Sequence, residues 1–502
     1  MSLKKWDNVD WPLVERRVFR YQRRIYEASK SGDTHVVKGL QKKIISSVDS
    51  KLLVVKQVII QHRKKCSRGG LYANSKDKLK LASRLRINNR LSLQRKNKVP
   101  NTKIKSEAHL ILELLEEETK QGLCLLALEP EWEGRIIQRC YGIRPGRWRQ
   151  DAVEAIYSYS IKTLPFQRFH TLFVKVQNKK SLKDTDIKKL LDKLETLSII
   201  RNQLYFWLSL KHIQRRQIEN EVNDVKFDIK ERCSIFNFLF NVALEGLTED
   251  VKNKIDPTKL QLESFNVQMN SLCIIRYSDE IIFLHEDVEL VKKAGEIVEK
   301  WLQESCILTI SKKVISSSNK GFDFLKYQFL TVVKNGTIKL KISPTKEAQI
   351  QILSDIREII KRNKAASSYK LILLLTPKIL TWGNYYRYCE CTNTFRKISH
   401  YTLQKLRAWA FRRDNRNGRK NVKERYFPSN REYTFEGKHY QDNWILNGYN
   451  VEGNGVIDKV WLPNLSWIQR KRWVEVIKSK SVYDGDHHYW NYRTFYYRVN
   501  YN

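Results

Sequence analysis

Apolar residues recur every three or four positions over most of residues 1–62, a spacing that predicts two helices. The first set is Val14, Val18, Tyr21 and Ile25, and the second is Val37, Leu40, Ile44, Ile45, Leu52 and Leu53. Ser31-Gly32-Asp33 is the predicted break between them. Basic pairs such as Arg23-Arg24 alternate with the apolar positions, so this segment is expected to be a packed helical hairpin with a cationic outer face.

The apolar pattern stops between residues 63 and 105, where Lys and Arg dominate. Like charges at this density repel each other unless an anion neutralises them. The segment is therefore either a solvated linker or an arm that becomes ordered on nucleic acid. Residues 107–128 return to helical spacing, with apolar Leu110, Leu114, Leu115 and Leu125 opposite a run of glutamates, and predict an amphipathic helix.

Short β-like runs and helices alternate over residues 171–330, with a strand predicted at 171–176 and helices at 187–197 and 236–247. Beyond Ile338 helical spacing dominates: Ser343-Pro344-Thr345 begins one helix and residues 401–413 form another. The aromatic-rich last seventy or so residues predict short strands and turns. The alternation indicates an α+β fold rather than a helical bundle. The predicted segments are 1–62, 63–105, 106–337, 338–430 and 431–502.

The net charge defines the expected partner. The chain has 93 Lys plus Arg against 54 Asp plus Glu, a net charge of +39, while a hydrophobic content of 41% is sufficient for folded cores. So strong an excess of cations predicts a polyanionic partner, for which nucleic acid is the default. A membrane surface is the competing anion, but no long apolar span or lipidation motif supports it.

The 8 cysteines include no CxxC pair, since Cys389 and Cys391 are separated by one residue. Neither a zinc knuckle nor a disulfide framework is indicated, which favours a reducing compartment. The first residues lack the apolar stretch of a secretory signal, and Asp7 and Asp10 are unlike a transit peptide. We therefore expect the protein to act in the compartment where it is made.

Two apolar runs over residues 272–284 flank Arg276-Tyr277-Ser278-Asp279-Glu280 and predict two strands around a tight acidic turn. Adjacent carboxylates repel each other, so the pair adds nothing obvious to stability outside a metal site. In nucleotidyl transferases such a tip presents carboxylates to paired Mg²⁺ ions. An ordinary acidic surface turn is the alternative.

A second loop, Tyr141-Gly142-Ile143-Arg144-Pro145-Gly146-Arg147, combines a proline that fixes φ with glycines that permit close backbone approach. It is suited to hold guanidinium groups against phosphates. The alternative is an ordinary surface turn.

Several stretches, in order along the chain, resemble the proteins encoded by group II introns, which join a reverse transcriptase to a splicing, or maturase, domain. The N-terminal stretch that is similar contains Trp11, Gln22, Arg24-Ile25 and Leu40-Gln41. Later stretches are Leu126-Ala127-Leu128-Glu129-Pro130-Glu131-Trp132, Gly321-Phe322-Asp323-Phe324-Leu325, Trp382-Gly383-Asn384-Tyr385-Tyr386-Arg387 and Tyr483-Asp484-Gly485-Asp486. The resemblance implies fingers and palm like those of a reverse transcriptase, followed by a helical thumb and maturase domain.

The departures from the family concern its polymerase site. The family's hairpin tip reads Tyr-Ala-Asp-Asp, whereas here Glu280 is last and Gln177 stands where the first metal-binding aspartate is expected. A neutral amide removes a charge that paired Mg²⁺ ions need. Asp184 and Asp186 are the nearest possible substitutes, but they follow the strand too late for the same metal. We therefore expect Gln177, Asp279 and Glu280 to be vestigial, with no bound metal and no cofactor.

Two nucleotide-side loops of the family also lack counterparts. Lys230-Glu231-Arg232-Cys233 stands near the family's Pro-Gln-Gly-Gly loop, and residues 108–113 stand near its Arg-Pro-Leu-Gly-Ile-Pro stretch. The sequence ends before the cysteines of the family's zinc-bearing nuclease, so that module is expected to be absent. Together these differences predict a palm that serves as a scaffold and RNA platform.

Cations of the maturase-like segment lie on or just after a helix with apolar Leu403, Leu406 and Trp409. They would contact phosphates, although a merely solvated face is the alternative. Tyr385, Tyr386 and Tyr388 would stack on unpaired bases or pack in the core, and for Trp382 packing is favoured. The expected RNA-binding residues are Arg144, Arg147, Arg149, Arg387, Arg407, Arg412, Arg413, Arg416, Arg419 and Lys420.

Three functions are open from the sequence. The leading hypothesis is a maturase that binds structured intron RNA and assists splicing without being an enzyme. The others are a protein associated with ribosomal RNA and a residual RNA-directed DNA polymerase that uses Asp279. Abundant Lys, Asn, Ile and Tyr with only 19 Gly suggest an AT-rich genome, which favours a plastid over a bacterium or mitochondrion. The oligomeric state is left open.

Overall fold

The computed structural model describes residues 6–65, 74–87, 107–136, 139–163, 168–179, 183–221, 234–255, 272–304, 307–334, 336–451 and 457–498. Two parts of the predicted basic arm, 66–73 and 88–105, lie outside these residues. So does the predicted loop counterpart at Lys230, Glu231, Arg232 and Cys233.

The N-terminal segment contains three helices where the sequence predicted two. They are α1 (Trp11–Lys30), α2 (Thr34–Ser46) and α3 (Val48–Lys65). Ser47 has an extended backbone with ψ 133°, which ends α2 one residue before α3 begins. The predicted break at residues 31–33 is confirmed, since Asp33 caps α2 by accepting a hydrogen bond from the Val36 amide at 3.0 Å.

One part of the basic arm is folded. Helix α4 (Ser75–Arg84) lies within it, and its Ala82 is buried together with Leu85 and Ile87 just beyond the helix. The neighbouring Arg84 and Arg86 point to solvent. Packing of Ala82, Leu85 and Ile87 therefore anchors residues 75–87 to the hydrophobic cores of the N-terminal half.

Helix α5 (Glu107–Arg135) extends seven residues beyond the predicted end, past Pro130, and packs against the N-terminal helices. The buried Gln41 of α2 donates to the Ala127 carbonyl at 3.3 Å and to Glu131 at 2.6 Å. Helix α6 (Arg149–Thr163) follows the 141–147 loop and is buried along much of its length.

A four-stranded antiparallel sheet lies at the centre, with strand order β2-β3-β1-β4. Its strands are β1 (His170–Asn178), β2 (Cys273–Tyr277), β3 (Glu280–His285) and β4 (Leu308–Ser317). The helices that lie between these strands in the sequence are α7 (Asp184–Leu194), α8 (Ser198–Glu221), α9 (Ser234–Ala243), α10 (Leu247–Ile255) and α11 (Val288–Glu304). The predicted strand at 171–176 is confirmed, whereas the predicted helix at 236–247 is two helices.

Both faces of this sheet are buried. Ile281 and Phe283 of β3 belong to a hydrophobic core that includes α5 and α7–α11, while Ile282 and Leu284 belong to a second core with α6 and the later helices. Side chains of a strand point alternately to opposite faces, which explains why β3 is continuously apolar. The sheet is therefore the layer between the two cores.

The second half begins with a three-stranded sheet and continues as helices. The strands are β5 (Phe322–Phe324), β6 (Tyr327–Lys334) and β7 (Thr337–Pro344), and the helices are α12 (Lys346–Arg362), α13 (Ser368–Tyr386), α14 (Thr392–Arg413) and α15 (Arg419–Tyr426). Thr345 caps α12 by accepting from the Ala348 amide at 3.2 Å, as Ser343-Pro344-Thr345 predicted. The mixture of sheets and helices confirms the α+β class.

The last segment forms two hairpins and a helix. The hairpins are β8 (Glu432–Phe435) with β9 (Lys438–Gln441) and β10 (Asn447–Val451) with β11 (Ile457–Trp461), and the helix is α16 (His487–Arg498). The strands were predicted, but α16 was not. Cys389 and Cys391 are buried free thiols. Within the described part of the chain, no helix has the length and hydropathy needed to cross a bilayer.

The acidic hairpin and the candidate RNA interface

The predicted acidic hairpin is present. Tyr277 of β2 pairs with Glu280 of β3, and Ser278 and Asp279 form the tip, with Ser278 at φ 53°. The amide of Val176 donates to the Asp279 carbonyl at 2.8 Å. The end of β1 therefore lies directly beside the tip.

A lysine lies between the two carboxylates. The Lys175 ammonium is 3.5 Å from Asp279 Oδ2 and 3.4 Å from Glu280 Oε1. Glu280 Oε2 also accepts a hydrogen bond from the Leu325 amide at 3.2 Å. Burial opposes the charge on Lys175, but the two carboxylates outweigh it and raise its pKa. The chain thus supplies its own cation to the pair.

Gln177 is exposed at the end of β1, opposite Thr309 of β4. It lies on the same face of the strand as Lys175, two residues further from the pairing with Glu280. Sequence reasoning missed Lys175, although strand alternation could have identified it. The described residues contain no group of three or more His, Cys, Asp or Glu side chains arranged to hold a metal ion.

The two aspartates considered as substitutes belong to the first turn of α7. Asp186 accepts from the Lys183 amide at 3.0 Å, and Asp184 pairs with Lys188 at 2.7 Å and with the Tyr205 hydroxyl. Both contribute to the start of a helix, where carboxylates are stabilising. Neither contacts the hairpin tip.

The 141–147 loop is buried behind the tip, contrary to both interpretations of its sequence. A Cβ at Gly142 would lie 2.0 Å from the Ser278 amide nitrogen, and the Gly142 carbonyl accepts from Asn241 at 2.8 Å. Only glycine permits this approach between two backbones. The glycine therefore positions the hairpin against the loop rather than admitting a phosphate.

Arg144 and Arg147 are corrected from RNA-binding to structural residues. Arg144 is 6% exposed and pairs with the buried Glu133 at 2.7 Å and 3.0 Å. Arg147 is equally buried and donates to the carbonyls of Lys478 and Lys480 at 3.1 Å and 3.0 Å. Their guanidinium groups join the loop to α5 and to the C-terminal segment, so they are not presented to RNA.

Arg387 requires the same correction. Its side chain is fully buried and forms a bidentate pair with Glu436, both nitrogen–oxygen distances being 2.7 Å. It also donates to the Gln469 carbonyl at 3.2 Å. Hydrogen bonding from Arg387 lowers the pKa of Glu436. Arg387 therefore links the end of α13 to the turn between β8 and β9.

The tyrosines of the same stretch pack rather than stand free for bases. The Tyr385 hydroxyl donates to the Leu325 carbonyl at 2.9 Å, and the Tyr386 hydroxyl donates to the Lys326 carbonyl at 3.2 Å. Trp382 packs on Tyr386, with ring centroids 4.6 Å apart, and Tyr388 meets Trp473 edge-on at 4.8 Å. The packing interpretation is confirmed for Trp382 and replaces base stacking for the three tyrosines.

Arg149 is exposed and lies between two aromatic rings. Its guanidinium carbon is 5.6 Å from the Tyr277 ring centre and 5.9 Å from that of Tyr385. It thereby connects the acidic hairpin to α13 while keeping an accessible surface.

Six of the predicted cations are exposed along the second half of α14, the turn after it and the start of α15. We call this set the α14–α15 surface; its members are Arg407, Arg412, Arg413, Arg416, Arg419 and Lys420. Trp409 and Leu406 are buried beneath it. Within the described ranges none of the six pairs with a carboxylate, and the nearby Asp414 pairs with Arg425 at 3.0 Å. The charge is therefore left for an external anion.

Comparison with protein families gives two matches in the order the resemblance requires. A model of the N-terminal domain of reverse transcriptase matches residues 6–85, and a model of the group II intron maturase-specific domain matches residues 351–427. These two matches support a member of the group II intron reverse transcriptase and maturase family. The second match spans most of α12 and all of α13–α15, and it contains the whole α14–α15 surface. A maturase-specific domain supports a role in intron splicing and implies binding of intron RNA. No curated protein matches the chain significantly.

Proposed function

We propose that this family member is a maturase that binds intron RNA through the α14–α15 surface, helps the RNA reach its splicing-competent fold, and carries out no polymerase reaction. The observation that carries the proposal is the position of Lys175. Its ammonium lies within 3.5 Å of both Asp279 and Glu280, where a polymerase would hold metal ions.

Electrostatics explains why this arrangement opposes polymerase chemistry. Paired Mg²⁺ ions clamp the attacking and leaving oxygens and require several carboxylate ligands at close range. Here the tip offers two, and Lys175 already neutralises part of their charge. A divalent ion would have to displace the ammonium and then rely on Gln177 in place of a carboxylate.

The α14–α15 surface supplies what RNA binding needs. Its six cations have no carboxylate partner in the described chain, and their helices are anchored by buried apolar residues. Contacts of this kind address phosphates and RNA shape, so affinity should fall steeply with salt.

The test is to recover the protein from its source with crosslinked RNA and to sequence that RNA. We expect intron sequences, with crosslinks mapping to α14 and α15, and depletion should leave those introns unspliced. Recovery of ribosomal RNA without introns would favour the alternative function and contradict this one.

A matched pair of triple variants distinguishes the effect of the α14–α15 surface from the effect of the protein's total charge. Replacing Arg412, Arg416 and Arg419 with glutamine should abolish rescue of splicing. The control replaces Lys188, Lys292 and Arg362 with glutamine, which removes the same charge from residues already paired with carboxylates on their own helices. Equal loss in both variants would show that net charge, not the α14–α15 surface, drives binding.

A residual RNA-directed DNA polymerase is the second candidate, and one observation favours it. The Asp279 side chain is 41% exposed at the tip and remains reachable from solvent. Primer extension on an RNA template decides the matter. Extension by the wild type that Asp279→Asn abolishes would overturn the proposed loss of polymerase chemistry.

We also propose that the protein acts in a plastid, on the support of its Lys-, Asn-, Ile- and Tyr-rich and Gly-poor composition. Fractionation of the source cell with detection by mass spectrometry tests this. Enrichment in mitochondria, or a bacterial source, would contradict it.

A further inference from the structure

A cavity of about 280 Å³ lies between the helices of the maturase-specific region and the segment that follows them, residues 442–466. Its wall on one side is α14, and the opposite wall is the segment around Trp444 and Leu446 before β10. Ordinary small-molecule sites have volumes from roughly 300 Å³ to 1,000 Å³. The cavity is slightly smaller than that range, so it suits one flat ring system rather than several residues of a peptide chain.

The walls and the rim differ in character. Ile356, Leu403 and Leu446 provide apolar walls. The rim carries Arg396, which is exposed and forms no ion pair within the described chain, and the wall includes Trp444, whose ring lies 4.5 Å from the Arg407 guanidinium. A ligand matching this pattern is flat and apolar in its body and anionic where it leaves the cavity.

An unsatisfied hydroxyl provides an independent indication of a ligand. Ser399 lines the cavity, and its buried Oγ has no hydrogen-bond partner in the described structure. Leaving such a group unpaired costs roughly 1–3 kcal/mol, which a ligand with a donor or acceptor at its edge would recover. A purely aliphatic occupant would leave the hydroxyl unpaired.

Asp442 is the acidic residue of the cavity lining, and it opposes an anionic ligand only weakly because both of its carboxylate oxygens accept hydrogen bonds within the protein. Asp442 Oδ1 accepts from the Trp444 amide at 2.9 Å, and Oδ2 accepts from the Asn464 side chain at 3.3 Å. His400 faces Gln404 at 2.8 Å. The free charge at the rim is therefore positive.

We propose that this cavity holds a single unpaired nucleobase of the bound RNA, with its phosphates on Arg396 and Arg407. The inference rests on the proposed RNA-binding function and deepens it. A nucleobase has the required flat apolar body, polar edge and anionic attachment, and RNA is recognised mainly where its bases are unstacked. Arg407 belongs to the α14–α15 surface and lies against Trp444 of the cavity lining, so this surface extends to the edge of the cavity.

The experiment compares two labelled RNA probes by fluorescence anisotropy with the full chain: a short oligoadenylate, and the same strand with abasic sugars. The phosphates are identical, so only the bases differ. We expect the base-bearing strand to bind about tenfold more tightly, as expected from base stacking energies. Leu403→Trp, which fills the cavity, should remove that difference and leave binding of the abasic strand unchanged.

The matched control is Ala408→Trp, which places the same side chain on an exposed position of α14 outside the cavity. It should keep the tenfold preference. Ser399→Leu, a second filling variant, should reproduce the loss if Leu403→Trp does not fold. Equal affinity of wild-type protein for both strands, or a preference that survives both filling variants, would overturn the cavity assignment. Failure of both strands to bind would instead contradict the proposed RNA-binding function.

Discussion

Replacing Arg387 with lysine distinguishes a structural arginine from one that binds RNA. The wild-type guanidinium is fully buried and joins Glu436 by two bonds of 2.7 Å, with a further bond to the Gln469 carbonyl. Lysine keeps the positive charge but cannot reproduce the planar fork. If Arg387 contacted phosphate, the substitution would be mild for folding.

The magnitude follows from the bonds that are lost. A hydrogen bond to a charged group contributes about 1.5–3 kcal/mol, and breaking a buried ion pair costs about 3–5 kcal/mol. The Glu436 side chain is 36% exposed, so it can rehydrate, and lysine can still make one bond. We therefore expect Arg387→Lys to destabilise the maturase-specific region by about 2–3 kcal/mol.

The assay is thermal unfolding followed by tryptophan fluorescence, with Arg412→Gln as the matched surface variant. Arg412 is exposed without a carboxylate partner in the described chain, so its replacement should change stability by less than about 0.5 kcal/mol. It should, however, reduce the salt dependence of RNA binding by about one phosphate contact. An unchanged melting temperature for Arg387→Lys would refute the structural role assigned to Arg387.

Three further predictions concern other sites. Lys175→Gln should make thermal stability rise with millimolar Mg²⁺, because Asp279 and Glu280 lose their cation; the same Mg²⁺ response in the wild type would contradict this. Gly142→Ala should cost about 3 kcal/mol or more, because its Cβ would meet the Ser278 backbone; urea unfolding measures the loss. Burial raises the pKa of Glu129 from 4.5 to about 7, so its contribution to stability is full below pH 4.5 and declines as pH rises through about 7. Glu129→Gln should flatten that dependence in melting curves between pH 4 and 8, and an unchanged profile would count against it.

The sequence was informative where one local pattern dominated. The helices predicted from apolar spacing coincide with observed helices, and the β2–β3 hairpin, the Thr345 cap and the break at residues 31–33 were each predicted from a few adjacent residues. Errors arose where the deciding contact was distant in sequence. The apolar spacing continues across Ser47, where α2 ends and α3 begins, and the aromatic-rich sequence of α16 resembles turns.

The candidate site also contains residues that the local sequence identified and residues whose role depended on distant contacts. The cations of α14 and α15 were recognised because a buried apolar stripe and an exposed basic edge lie on one helix. Arg144, Arg147 and Arg387 were misassigned because a basic residue in a loop or at a helix end gives no local sign of burial. Their partners Glu133, Lys478 and Glu436 are 11 to 331 residues away.

The sequence by itself indicated the family and determined the α+β class and the strongly cationic character of this protein, because motif order, periodicity and charge are local or additive properties. The tertiary structure alone decided which cations remain for RNA. It also placed Lys175 between Asp279 and Glu280, because that position depends on the register between β1 and β3, strands separated by about a hundred residues. Whether a cation neutralises a carboxylate depends on the distance between the two groups in space, and tertiary packing sets that distance.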